Sequence, residues 1–166
     1  GLSLERIAAE LEQIQRQLPA GPFGVNLLHN PGNPAWEMGC VTLLIERQVR
    51  VIEASAYINL SAALVYYRAA GLTRGADGRI QPRNRIIAKV SRREVAQHFL
   101  RPAPENLLKK LLDDGLITAQ QAELARQVPM ADDITVEGDS GGHTDQGLLA
   151  CIFRSVVALR DEMQAQ

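Results

Sequence analysis

The feature that most restricts the fold of this chain is the make-up of four short runs. They are "FGVNLL" (23–28), "VRVIEASAY" (49–57), "RIIAKVS" (85–91) and "DITVEGD" (133–139). Each is apolar at nearly every position instead of every second one, and helix-like segments alternate with them. Strands apolar on both faces belong in a sheet covered on both faces, and strand–helix alternation is how parallel strands are joined. The expectation is an α/β chain with about four parallel strands.

The helical segments have clear signals. Leu4, Ile7, Leu11, Ile14 and Leu18 form one stripe at three- and four-residue spacing. Ser3 is placed to cap that helix, and Pro19, Gly21 and Pro22 end it. Asn33 followed by Pro34 reads as an N-cap with proline in the first turn of a helix reaching about Arg47. Residues 61–72 and 146–164 read as two more helices. Residues 71–84, with Gly75 and an Asp77-Gly78 pair, read as a turn-rich connection.

One crossover is too long. Residues 92–132 separate the third and fourth strands, where a simple crossover helix takes roughly 15–20 residues. Ser91 to Glu94 reads as a capping box, and so does Thr118 to Gln121. Three short helices are therefore expected over 91–130. They form either an elaborated crossover or a lid over a site.

Composition narrows the class. The chain has 166 residues, 46% of them apolar and 22% charged, with a formal net charge of −1. That balance gives no electrostatic case for nucleic acid or an anionic membrane. No apolar run approaches the roughly 20 residues of a membrane span. Cys40 and Cys151 lie in apolar helix-like runs outside any CxxC, so buried thiols and reducing, cytoplasmic surroundings are expected. The amphipathic, acid-containing opening does not read as a signal peptide.

Parallel α/β folds bind ligands at the carboxyl ends of their strands. Here those positions are small and polar. Asn26 and Lys89 lie within apolar strands, where a buried amide or ammonium needs a partner. Lys89 has three readings: a salt bridge to Glu53 or Glu137, a Schiff-base lysine, or a cation against an anionic or electron-rich cofactor. After the fourth strand, Gly138, Gly141 and Gly142 leave backbone N–H groups open to a flat ring or an anion. His143 follows at the rim. The stretch can be a plain turn with Thr144 as a helix cap, a metal site from Glu137, Asp139, His143 and Asp145, or a cofactor and substrate platform with His143 as hydrogen-bond donor or proton source.

"GPFGVNLLHNP", "RIIAKVSRREVAQHF" and "ADDITVEGDSGGHTD", in that order, resemble the PfaD-type trans-acting enoyl reductases of polyketide and polyunsaturated fatty acid synthases. These are related to the nitronate monooxygenases, or 2-nitropropane dioxygenases. The resemblance covers essentially the whole chain. It implies part of an FMN-binding (β/α)8 TIM barrel with a helical insertion. In that family, FMN refilled by NADPH delivers hydride to an α,β-unsaturated thioester held on an acyl carrier protein. It implies His143 as the active-site histidine. It places Asn26, Lys89, Glu137, Gly138, Ser140, Gly141 and Gly142 around the flavin, with no metal. The helices at 91–130 would cover the site and receive the acyl chain.

A full barrel takes about 250 residues, so residues 1–166 are expected to be an incomplete, central part lacking the FMN-phosphate loop. Two other functions remain open at this point. One is a nitronate monooxygenase-like oxidase with His143 as base. The other is a non-catalytic segment that docks a carrier protein through Arg92, Arg93, Arg101, Lys109 and Lys110.

Overall fold

A computed structural model of the chain describes residues 2–138 and 148–165. The order of elements is α1 (Leu4–Gln17), β1 (Val25–Leu28), α2 (Pro34–Glu46), β2 (Val51–Ser55), α3 (Ala62–Ala70), β3 (Leu72–Arg74), β4 (Ile80–Pro82), β5 (Arg85–Val90), α4 (Arg93–Leu100), α5 (Glu105–Asp113), α6 (Ala119–Ala125), β6 (Asp133–Val136) and α7 (Leu149–Gln164).

Four strands form one parallel sheet in the order β1-β2-β5-β6. Each crossover steps to the next strand in the same direction, which is how a β/α barrel is laid down; a doubly wound sheet would reverse direction. The register pairs Asn26 with Glu53, Ala54 with Ala88 and Lys89 with Thr135.

The two faces of this sheet differ, contrary to the expectation of cover on both. Leu27, Ile52, Ala54, Ile86, Ala88 and Val90 are buried, on the face packed by the helices. Asn26, Glu53, Lys89 and Thr135 lie on the other face and are partly or fully exposed. The alternation was present in the sequence but masked, because Val51 and Ile87 also sit on the polar face. Within the helix layer, α2 packs on α3, α3 on α5 and α6, and α4 on α7.

The long crossover contains three helices. Leu108 and Leu111 of α5 are fully buried, while Lys109 and Lys110 point outward in ion pairs with Asp113 and Asp114, each at 2.7 Å. Burying a leucine contributes about 1.5–3 kcal/mol, against roughly 0.3–0.5 for an exposed i,i+4 pair. Packing, not charge, therefore holds α5 against α3. Thr118 and Gln121 form the expected reciprocal capping box.

Four local expectations need correction. The box expected at Ser91 to Glu94 is not formed: Arg92 is the N-cap, without a side-chain cap hydrogen bond. Residues 72–82 hold an antiparallel hairpin of β3 and β4. Its strands are three residues long, too short to show alternation, although Gly78 supplies the positive φ of 79° that the turn requires. Cys40 is buried but Cys151 is exposed, in the exposed first turn of α7 beside Leu148 and Leu149. The fourth strand ends at Val136, short of the expected 139.

Candidate functional site

The exposed face of the sheet carries a connected polar group. Glu53 Oε2 accepts from Asn26 Nδ2 at 3.3 Å and Ser55 Oγ at 3.5 Å. Lys89 Nζ stands 3.5 Å from the same oxygen and 3.9 Å from Glu137 Oε2. β1, β2, β5 and the end of β6 thus each place one member within reach of the next. Asn26 is exposed on this face instead of buried in an apolar strand as the sequence suggested. The salt-bridge reading of Lys89 is realised, though both separations exceed the 2.7–2.9 Å of a strong charge-assisted bond. A lysine has three N–H donors, so Lys89 keeps donor capacity. Among the described residues, Glu137 Oε1 is buried with no hydrogen-bond partner. Such an atom costs about 1–3 kcal/mol.

Gly138 lies in the bend directly after this strand. Ser140, Gly141, Gly142 and His143 lie outside the described residues, as do Asp139, Thr144 and Asp145. Among the described residues no cluster of histidine, cysteine or carboxylate side chains is arranged to hold a metal ion.

A second polar centre, which the sequence reading missed, sits at the carboxyl ends of β1 and β2. Glu37, in the first turn of α2, is 1% exposed. Its Oε2 faces His29 Nδ1 at 2.9 Å and accepts from the Asn30 backbone N–H at 2.8 Å. Its Oε1 accepts from the Tyr57 hydroxyl at 3.0 Å and from the Ser61 hydroxyl. The His29 and Tyr57 rings stack at 4.5 Å. Burial pushes the Glu37 carboxyl up, but the Asn30 N–H, Ser61 and His29 outweigh it and hold the group below the usual carboxylate range. Burial, reinforced by the Glu37 charge, pushes the Cys40 thiol up to about 11, so it is no nucleophile at neutral pH. The four partners lie 7 to 24 residues from Glu37 in the chain. No local motif could have announced them; an acid in the first turn of a largely apolar helix was the one available signal.

Comparison with known proteins gives a consistent family. No family model matches the chain. It is 51% identical over all 166 residues to a component of the polyunsaturated fatty acid synthase of Thraustochytrium sp., covering 11% of that protein. It is 48% identical over 164 residues to the polyketide biosynthesis protein PksE of Bacillus subtilis, covering 21% of it. Among solved structures, the enoyl reductase domain of MlnA from the macrolactin cluster of Bacillus amyloliquefaciens matches with a TM-score of 0.92 and 43% identity. That match takes in 99% of this chain and 37% of the other. The chain therefore spans a small part of the length of these relatives. Over its whole length it fits a segment of a PfaD-type enoyl reductase of polyketide and polyunsaturated fatty acid synthases.

Proposed function

We infer that this chain supplies the ring-facing part of an FMN site in an enoyl reductase. The substrate class is an α,β-unsaturated acyl thioester carried on an acyl carrier protein of a polyketide or fatty acid synthase, with NADPH as the reductant. The observation that carries this reading is the polar group on the open sheet face, with its unsatisfied Glu137 oxygen. A flavin ring has carbonyl acceptors and one N–H donor along its polar edge. Asn26 and Lys89 would offer donors to such an edge, and Glu137 an acceptor. When bound, the flavin supplies hydride chemistry at the β-carbon.

The remaining work falls to the chain's own residues. His143, with Ser140, Gly141 and Gly142 beside it, would hold the proton destined for the α-carbon or orient the thioester carbonyl. Of the helices at 91–130, α5, whose Lys110 lines the cavity beside His29 and Ser61, would border the acyl channel, while α6 packs on α3 away from it. Among the cations considered for carrier docking, Arg93 pairs with Glu162, Lys109 with Asp113 and Lys110 with Asp114. Exposed pairs of this kind contribute about 1 kcal/mol at most, so they do not prevent the same side chains from meeting an acidic carrier.

The test uses the full-length protein. Lys89→Ala should strip the flavin, read as lost visible absorbance after purification. His143→Ala should keep the flavin and slow turnover by about 10²–10⁴. A parent protein that stays colourless after incubation with FMN overturns the reading.

A further inference from the structure

The geometry points to Glu37 as a positioning residue for thioester reduction, acting by clamping two loops at the mouth of the barrel. This rests on the enoyl reductase reading above. In β/α barrels the loops after the strands shape the site. Here the loop after β1 carries His29 and Asn30, and the loop after β2 carries Tyr57 and Ser61. One buried carboxylate ties all four to α2.

Three further observations place the clamp at the working rim. The His29 backbone N–H bonds to Ser55 O at 3.0 Å, which extends the β1–β2 ladder by one step. Ser55 in turn reaches Glu53 Oε2, the centre of the polar group on the open face. The two polar centres are thus joined through a single residue. Between them the chain turns at Ala56, whose φ of 62° lies in the left-handed region that alanine avoids at a cost of about 1–2 kcal/mol. Strain of this kind persists where neighbouring contacts over-determine it, and the Tyr57–Glu37 bond is the adjacent contact. A cavity of about 440 Å³ opens beside the clamp, lined by His29, Glu37, Met38, Ser61, Ala63 and Lys110.

A four-donor carboxylate of this kind does not touch the reacting atoms. It fixes the loops that receive the substrate, and a displacement of about 1 Å in such a loop can cost a factor of about 10² in rate.

The experiment compares Glu37→Gln and Tyr57→Phe with Arg68→Lys in the full-length, flavin-loaded enzyme. Arg68→Lys serves as a destabilised control at the opposite end of the barrel. The readouts are kcat and KM for an enoyl thioester, flavin content, melting temperature, and amide exchange of residues 29–34 and 56–61. Glu37→Gln is expected to lower kcat/KM by about 10- to 100-fold with full flavin content, and to speed exchange in those two loops alone. Tyr57→Phe keeps the ring stack and three of the four bonds, so it should show a smaller loss of the same kind. Unchanged kinetics in Glu37→Gln overturn the proposal. So does a kinetic loss that Arg68→Lys reproduces at equal melting temperature. Absence of enoyl reduction by the wild-type enzyme sinks the functional reading instead, and the exchange pattern then judges the clamp by itself.

Discussion

Two buried charged side chains in the helix layer invite comparison, because they sit at opposite ends of the barrel arc. Glu37 lies near the start of α2, at the carboxyl ends of the strands. Arg68 lies near the end of α3, at their amino ends. Arg68 is 3% exposed and donates from Nη1 to Asp132 at 2.8 Å and to Asn84 O, and from Nε and Nη2 to Pro129 O. Asp132 also accepts from the Ile86 backbone N–H. Both side chains are well satisfied, yet by different means. Arg68 draws mainly on backbone carbonyls, which any sequence with this chain trace would offer. Glu37 draws on an imidazole, a phenol and a hydroxyl, which only particular residues supply. The amino end of a barrel serves stability and the carboxyl end serves chemistry. A fastening made from the main chain suits the first, and one made from chosen side chains suits the second.

The largest expected effect tests the stabilising end. Arg68→Ala leaves the partly buried Asp132 without its cation and the Asn84 and Pro129 carbonyls without these donors. It should cost about 3–5 kcal/mol, read from the denaturant midpoint of the full-length protein. The site should stay intact wherever the protein is still folded. Close packing adds to the same region: a Cβ at Gly71 would stand 2.5 Å from Asn84 Cβ, and Asn84 Nδ2 holds Tyr67 O at 2.9 Å. A loss well under 1 kcal/mol would remove the contrast between the two ends.

Acid should affect the other end. The Glu37 carboxyl is held below its unfolded value, so its contribution is fully present above the usual carboxylate range. That contribution is lost as pH falls through the depressed folded value. The groups facing it are His29, Tyr57 and Cys40; the phenol and thiol are both pushed up and stay neutral throughout this window. Protection of the amides of residues 29–34 and 56–61, taken relative to the intrinsic exchange rate at each pH, should therefore fall as pH drops below the ordinary carboxylate range, ahead of global unfolding. Simultaneous loss of protection across the whole chain would show that the clamp has no independent role.

A smaller effect returns to the stabilising end. Thr118 caps α6, and its partner Gln121 reaches Ala70 O at 3.1 Å, close to Arg68. Thr118→Ala should cost about 1 kcal/mol and leave kcat and KM unchanged. A change in kinetic constants would mean that α6 communicates with the site.

How much of this was legible follows from the range of each signal. The strands, the sequence of helices and the Thr118 box rest on neighbours within a few residues, and all were readable. The open polar face was half readable. Asn26, Lys89 and Glu137 stood out by their chemistry, but that they share one face with Glu53 depends on register between strands 27 to 46 residues apart. The Glu37 and Arg68 centres were not readable, because their partners are brought in by the fold. Arg68 was hidden further still: backbone carbonyls leave no mark on a sequence. The hairpin of β3 and β4 fell between these cases, its turn visible and its strands too short to register.

The finest test of the contrast uses the two non-glycine residues with positive φ among the described residues, one toward each end. Gln48, at φ 56°, follows the C-cap of α2 and accepts from Arg50 at 3.2 Å. Ala56, at φ 62°, follows β2 at the rim. Glycine relieves left-handed strain at either site, while its freedom in the unfolded chain takes back about 0.4–1 kcal/mol. The two terms nearly cancel, so Gln48→Gly and Ala56→Gly should each change stability by less than about 1 kcal/mol. Their effects on catalysis should separate. Gln48→Gly loosens a helix end remote from the site and should leave kcat/KM alone. Ala56→Gly frees the turn that carries Tyr57 to Glu37, and should raise KM for the thioester several-fold at unchanged flavin content. If the two variants behave alike, left-handed backbone at the rim is incidental, and the two ends of the barrel differ in composition without differing in purpose.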